Sequence, residues 1–171
     1  MATRGFLRIA AGVTVMLLAG CGRPEAKAPA AAEAKAAPAP EAAPEGRLVE
    51  VVANDSMRFD VTEIVAAPGE KISLRLTNTG SMPKQAMGHN LVILQASADP
   101  RAYAMAAVSA ARTEYLPPSL QEQVIAATAM LGPKESDLIT FTAPSAPGEY
   151  PYLCSFPAHF AAGMKGVLIV R

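Results

Sequence analysis

Short runs in which apolar and polar side chains alternate, broken by turn-forming residues, dominate this chain beyond its first quarter, and a period of two belongs to β-strands. The cleanest run sets Ile72, Leu74 and Leu76 between Lys71, Ser73, Arg75 and Thr77, which predicts a strand with one buried and one wet face. Residues 48–53, 59–65, 90–95, 138–142, 150–154 and 166–170 have strand composition as well, and Ala67-Pro68-Gly69-Glu70 reads as a turn. With no strand–helix–strand rhythm, the pattern predicts an all-β sandwich or barrel. Residues 99–131 break the period. The alanine-rich stretch 101–112 has helical propensity, and 119–130, after Pro117-Pro118, sets Leu120, Val124 and Ala127 on one side at helical spacing. The expectation is a helical insertion around residues 100–130 packed outside the sandwich, with Met105 and Met130 as packing residues.

The amino end has a different pattern. Arg4 and Arg8 lead into an apolar run, residues 9–18, too short for a spanning helix, so residues 1–20 read as an export signal. Leu18-Ala19-Gly20-Cys21 resembles a bacterial lipobox, in which cleavage precedes Cys21 and that cysteine is lipidated; the competing reading is an ordinary signal peptide with an incidental cysteine. Residues 22–45 are nearly all Ala, Pro, Glu and Lys, and Pro24, Pro29, Pro38, Pro40 and Pro44 interrupt every helical run. Residues 21–46 therefore read as a semi-extended tether, and residues 47–171 as the folded domain. Several acyl chains on Cys21 would anchor it stably to a membrane of the bacterial cell envelope, the domain facing the periplasm or exterior. Inner and outer membrane stay open, Gly22 giving no sign of an aspartate retention signal.

Charge excludes little but steers the search. The chain has 15 Lys+Arg against 15 Asp+Glu, and removing Arg4 and Arg8 with the signal leaves 13 against 15, so nothing points to nucleic acid. Chemistry therefore sits in particular positions. Cys154 is followed after four residues by His159 and after four more by Met164, with His89 lying 65 residues before Cys154. Both histidines of the chain belong to this set. A thiolate, two imidazoles and a thioether form the soft, mixed ligand group that holds one type 1 copper as both Cu(I) and Cu(II). The weighed alternatives are zinc, for which methionine is a poor ligand, a catalytic thiol, for which no base and oxyanion site are evident, and a plain buried thiol or Cys21–Cys154 disulfide.

The residues that surround these ligands carry a resemblance. They are residues 54–59 (Asn-Asp-Ser-Met-Arg-Phe), 82–90 (Met-Pro-Lys-Gln-Ala-Met-Gly-His-Asn), Tyr115-Leu116-Pro117, Val124-Ile125-Ala126, 131–137 (Leu-Gly-Pro-Lys-Glu-Ser-Asp), 152–159 (Tyr-Leu-Cys-Ser-Phe-Pro-Ala-His) and Met164-Lys165-Gly166. From residue 47 to 171 the chain resembles the azurins and auracyanins of the cupredoxin family. The resemblance implies a Greek-key β-sandwich, barrel-like, that transfers single electrons and performs no catalysis. It further implies that the Gly88 carbonyl approaches the metal opposite Met164, and that Asn90 ties the His89 strand to the Cys154 loop, where strand-end capping is the simpler role. His159 would be partly exposed within an apolar docking patch of Met57, Met82, Ala86, Met87, Phe156, Pro157 and Ala158, with core packing the alternative for Met57 and Met87.

Partners implied are cytochromes c, a quinol-oxidising complex, a reductase or a terminal oxidase, met by a monomer; copper storage or delivery is the alternative function. Three departures from azurin stand out. No cysteine is available for its amino-end disulfide, four residues rather than three separate His159 from Met164 as in auracyanins, and Ala158 replaces a glycine.

Overall fold

A computed structural model describes residues 43–171; the signal segment, Cys21 and most of the tether lie outside the described residues. Along the chain run β1 (Arg47–Ala53), β2 (Glu63–Ala66), β3 (Lys71–Asn78), α1 (Lys84–Met87), β4 (Val92–Leu94), α2 (Pro100–Ala107), β5 (Val124–Ala127), β6 (Ser136–Thr142), β7 (Gly148–Leu153), α3 (His159–Ala162) and β8 (Lys165–Val170). One sheet has the order β1-β3-β6 and the other β2-β8-β7-β4-β5. The β1–β3 and β2–β8 pairs are parallel and the remaining pairs antiparallel.

The apolar faces explain the layers. Val51, Ile72, Leu74 and Leu76 of the smaller sheet meet Ile64, Ile93, Tyr152 and Leu168 of the larger one in a single buried cluster. Each such side chain removed from water contributes ~1.5–3 kcal/mol. The larger sheet is covered on its second face too, where Val92, Leu94 and Leu153 pack with Tyr103 of α2 and with Leu116, Leu120 and Phe160. Double coverage accounts for the unbroken Leu91-Val92-Ile93-Leu94 run, which has no polar face because neither side meets water. Asp99 starts α2 by accepting the Arg101 N–H, with Pro100 at the first helical position.

Two expectations are corrected. The domain is not an all-β, barrel-like body but a mixed cupredoxin-like sandwich, two separate sheets with several helices. No ladder joins the sheets among the described residues; only the isolated Ala53–Phe59 and His89–Leu131 bridges lie outside the strands. Helices are part of the fold because the outer face of the larger sheet is itself apolar and needs a cover. The helix expected over 119–130 is instead a 3-10 turn, Pro118–Gln123, followed by the edge strand β5. Val-Ile-Ala-Ala has no strong local preference, and pairing with β4 decides it.

Gly166 marks a tight crossing between β8 and β7. A Cβ there would collide with the Tyr152 ring and lie 2.5 Å from the Thr62 carbonyl oxygen. Tyr152 cannot retreat, since its hydroxyl donates to the Val61 carbonyl at 2.7 Å. Gly166→Ala is expected to lower stability in urea denaturation by about 1–3 kcal/mol, the range for overpacking a tight core. A change below ~0.5 kcal/mol, typical of surface sites, would contradict this crossing.

Candidate metal centre

Three chain segments converge at one pole of the sandwich. His89 follows α1 through Gly88 in an extended conformation, and a two-hydrogen-bond bridge holds its backbone to Leu131, at 3.1 Å and 2.7 Å. Cys154 follows β7 directly, and its N–H donates to the Met164 carbonyl at 3.1 Å, closing the β7–β8 hairpin over the intervening loop. Within that loop the His159 N–H donates to Phe156, Ala158 takes a left-handed conformation (φ 70°), and Gly163 (φ 100°) ends α3. The Met164 N–H then donates to the His159 carbonyl at 2.9 Å. Gly163 is favoured where it stands because φ 100° is a conformation that side chains rarely adopt; the Arg58 guanidinium lies against it and donates to the Ala162 carbonyl.

Among the described residues, His89, Cys154 and His159 bring their ligand atoms within 4.8 Å of one another. Cys154 Sγ and His159 Nδ1 are 3.4 Å apart, and the two imidazole centroids 4.9 Å. Met164 is fully buried in the same cluster as Cys154. Gly88 is buried as well, and a Cβ on it would lie 2.7 Å from the Lys84 carbonyl and 3.0 Å from the Met130 sulfur. Met130, expected only as packing in the insertion, thus packs against the glycine that precedes the first histidine.

Asn90 and Ser155 join the two ligand segments. The Asn90 amide donates to Ser155 Oγ at 2.8 Å, and its carbonyl oxygen accepts the Ser155 N–H at 2.9 Å, with both side chains buried. Asp55 steadies the approach to His89: its carboxylate accepts the Ser81 N–H and hydroxyl, each at 2.9 Å. Those hydrogen bonds from Ser81 hold its pKa below the usual carboxylate value.

Electrostatics mark the ligands as ill-suited to life without a metal. Burial pushes the Cys154 thiol up to about 11, opposed by the backbone N–H groups of Asn90 and Phe156. Burial, and then the neighbouring His89, push His159 down to about 4. Burial also lowers His89, while the Asp55 carboxylate and the Asn54 carbonyl oppose it. Neither group closes a hydrogen bond of normal geometry, so both His89 nitrogens are buried and unpaired. Buried polar atoms are rarely left so, and the exception needs a partner. Two neutral imidazoles and a sulfur able to become thiolate, buried together, fit copper.

The residues expected to form a docking patch differ in exposure. Met82, Ala86 and Ala158 are exposed, and Met57, Met87, Phe156 and Pro157 half-buried, with Met57 and Phe156 also packing on the main core. One implied feature is corrected: His159 is only 2 % exposed, because the Phe156 ring covers it at 4.7 Å between centroids. Tyr115 from the insertion sits edge-on to Phe156 at 5.1 Å. No role for Tyr115 was legible in the sequence beyond the resemblance that quoted it. Its left-handed backbone (φ 62°), after Glu114 (φ 53°), has no glycine to announce it.

Residues 47–171 match the family of copper-binding proteins of plastocyanin/azurin type. The chain is 40% identical to Azurin-2 of Alcaligenes xylosoxydans xylosoxydans over 121 residues, 69% of this chain and 92% of that protein. It is 38% identical over 113 residues to outer membrane protein H.8 of Neisseria gonorrhoeae, covering 65% of this chain and 61% of that protein. Its fold is similar to an auracyanin of Roseiflexus castenholzii at TM-score 0.61, 36% identical, with 72% of this chain and 96% of that one covered. Auracyanin B is similar at TM-score 0.64 and 33% identity, covering 75% and 98%. With a buried His–Cys–His cluster of blue-copper type on an azurin- and auracyanin-like fold, the chain belongs to the plastocyanin/azurin family of copper-binding proteins, which carry electrons and are not enzymes.

Proposed function

We propose that this chain is a lipid-anchored one-electron carrier. In this reading His89, Cys154 and His159 would hold a type 1 copper, with the Met164 thioether and the Gly88 carbonyl as further, weaker donors. The observation that carries the reading is the buried convergence of the three ligand atoms, with both His89 nitrogens left without a hydrogen bond. Copper bound there supplies a Cu(I)/Cu(II) couple, so one electron is taken up and released with no substrate bond made or broken. The β7–β8 hairpin, the His89–Leu131 bridge and the Asn90–Ser155 hydrogen bonds hold the ligands in one arrangement for both oxidation states. Storage or delivery would favour open ligands, whereas His89, Cys154 and His159 are at most 2 % exposed.

The patch of Met57, Met82, Ala86, Met87, Phe156, Pro157 and Ala158 is the docking surface. A small apolar face of this kind excludes water yet releases its partner quickly. Its partners are membrane-bound or periplasmic redox proteins: cytochromes c, a quinol-oxidising complex, a reductase or a terminal oxidase. Anchoring through Cys21 is supported by the lipobox-like residues before it and by the relative named as an outer membrane protein.

The fold suits a tether. Arg47, where the tether enters, pairs with Ile72 at the start of β3, whereas the far end of β3 reaches Leu131 through Asn78. Leu131 bridges to His89, so the entry point and the metal site lie at opposite ends of a seven-residue strand, roughly 23 Å apart along it. The site would face away from its own attachment point and toward partners.

Copper loading is expected to give an intense visible thiolate-to-copper band with narrow paramagnetic hyperfine splitting. Cys154→Ser should abolish the colour, and Met164→Leu should keep it while shifting the reduction potential; a colourless wild-type protein would sink the assignment.

Protons offer a second check. In the metal-free chain the Cys154 thiol is protonated below about 11 and His159 is neutral above about 4. Uptake of Cu(II) at neutral pH is therefore expected to release one proton per chain, from Cys154, in a pH-stat titration. Release of none or of two would contradict the donor set. For the anchor, wild type should enter the detergent phase on phase separation and Cys21→Ser the aqueous phase; equal partitioning would reject lipidation.

A further inference from the structure

The apolar patch is not the only surface beside the metal site. A groove of about 480 Å³ runs between α2 and the ligand loop, lined among others by Arg101, Met105, Val108, Phe156, Ala158 and Lys165. Its apolar side chains are unusually open to water, Met105 at 67% and Val108 at 53% exposure. Folding does not account for them: α2 turns Tyr103 and Ala107 to the sheet and leaves these two outside.

Its charge is one-sided. Arg101 and Lys165 line the groove and no acidic residue does. Neither side chain has a carboxylate partner among the described residues, whereas Arg47, Lys71, Arg75 and Lys84 are each paired with a glutamate. Lys165 is held at the rim instead by the Phe160 ring, 4.9 Å from its ammonium. With the signal removed the chain carries 13 basic against 15 acidic residues, so long-range steering is weak and these two local cations dominate the field at the groove.

We propose that this groove docks a redox protein whose contact face has an apolar centre and an acidic rim, a partner chemistry that the Met57–Met82 side of the patch does not specify. The proposal rests on the copper reading above. Charge complementarity favours carboxylates opposite Arg101 and Lys165, and the groove is continuous with the ligand loop. Phe156 forms part of its lining and touches the His159 ring, so a partner seated there lies one aromatic contact from a ligand. An apolar floor excludes water, while the cations set orientation and association rate.

The test uses the full chain loaded with copper, with an acidic and a basic c-type cytochrome of similar potential as probes in stopped flow. The acidic probe is expected to react faster at low salt and to lose that advantage at high salt. Arg101→Glu with Lys165→Glu should slow it about tenfold at low salt, the low end of charge-steering effects. Lys71→Glu with Arg171→Glu, an equal charge change at the start of β3 and just beyond the end of β8, away from the metal site, should slow it less than about twofold. Met105→Ser should slow it at high salt as well. Equal slowing by the two charge-reversed pairs, or a faster basic probe, would overturn the proposal. So would groove variants that alter binding to anionic phospholipid vesicles and leave the cytochrome rate unchanged.

Failure of the copper reading is seen separately, as a missing visible band in wild type. In that event docking is read from backbone amide shifts at Met105 and Ala158 on adding the acidic cytochrome. Shifts there support the groove, and their absence rejects it.

Discussion

Two imidazoles and a thiol share an apolar pole with almost no hydrogen bonds to offset their loss of water, and the rest of the domain is arranged around that cost. The unpaired nitrogens of His89, the raised pKa of Cys154 and the lowered pKa of His159 are three expressions of one desolvation. Left to themselves these groups would move toward solvent. They are kept in place by backbone, not by each other: the hairpin closure at Cys154 and Met164, and the bridge from His89 to Leu131. Asn90 and Ser155 then fasten the two halves with buried, fully used hydrogen bonds, the kind whose loss leaves a costly unpaired group behind.

How far this was legible in the sequence depends on whether the cause is local. The strand at Lys71–Asn78 was readable because the alternation survives in the sequence, although the face expected to be wet is largely covered, with Ser73 buried and only Lys71 exposed. The His89–Cys154–His159 cluster was readable because Cys154 and His159 lie within six residues, and only His89 had to be brought from afar. What escaped was set by tertiary contacts. Val124–Ala127 became an edge strand, where a helix was expected, because β4 had a free edge. The cover over His159 comes from Phe156 in the same loop, and what escaped was Tyr115 set edge-on to it from the insertion, in a left-handed conformation that no glycine signals. Arg58 and Met130 were invisible as site neighbours, since each reaches its target from a distant segment.

Ala158 shows how the ligand loop trades stability for shape. A non-glycine residue at φ 70° carries a strain of ~1–2 kcal/mol, which the short turn from Cys154 back to His159 imposes. The strain is tolerated because the turn is held at both ends, by β7 on one side and by α3 and Gly163 on the other. The methyl group so placed adds to the groove lining beside Phe156. At this position, conformational cost and contact surface therefore have one origin.

Covering His159 alters what a partner must do. Were the ring edge exposed, a partner could reach the ligand by direct contact, and the flat apolar patch alone would define the encounter. With the imidazole 2 % exposed beneath Phe156, the partner meets the aromatic cover first, and any orientation that places it near Phe156 serves equally well. Phe156 belongs to the proposed patch and also lines the groove that Arg101 and Lys165 flank, so on the docking reading proposed above the cover would give one buried ligand two approaches of different charge character. Electrostatic selection can then act at one approach without altering the ligands, because the Arg101 and Lys165 side chains make none of the hydrogen bonds that fix His89 and Cys154. A carrier that must recognise both a donor and an acceptor through a single metal gains from that separation: the ligand pole stays rigid for transfer while the rim sorts the partners.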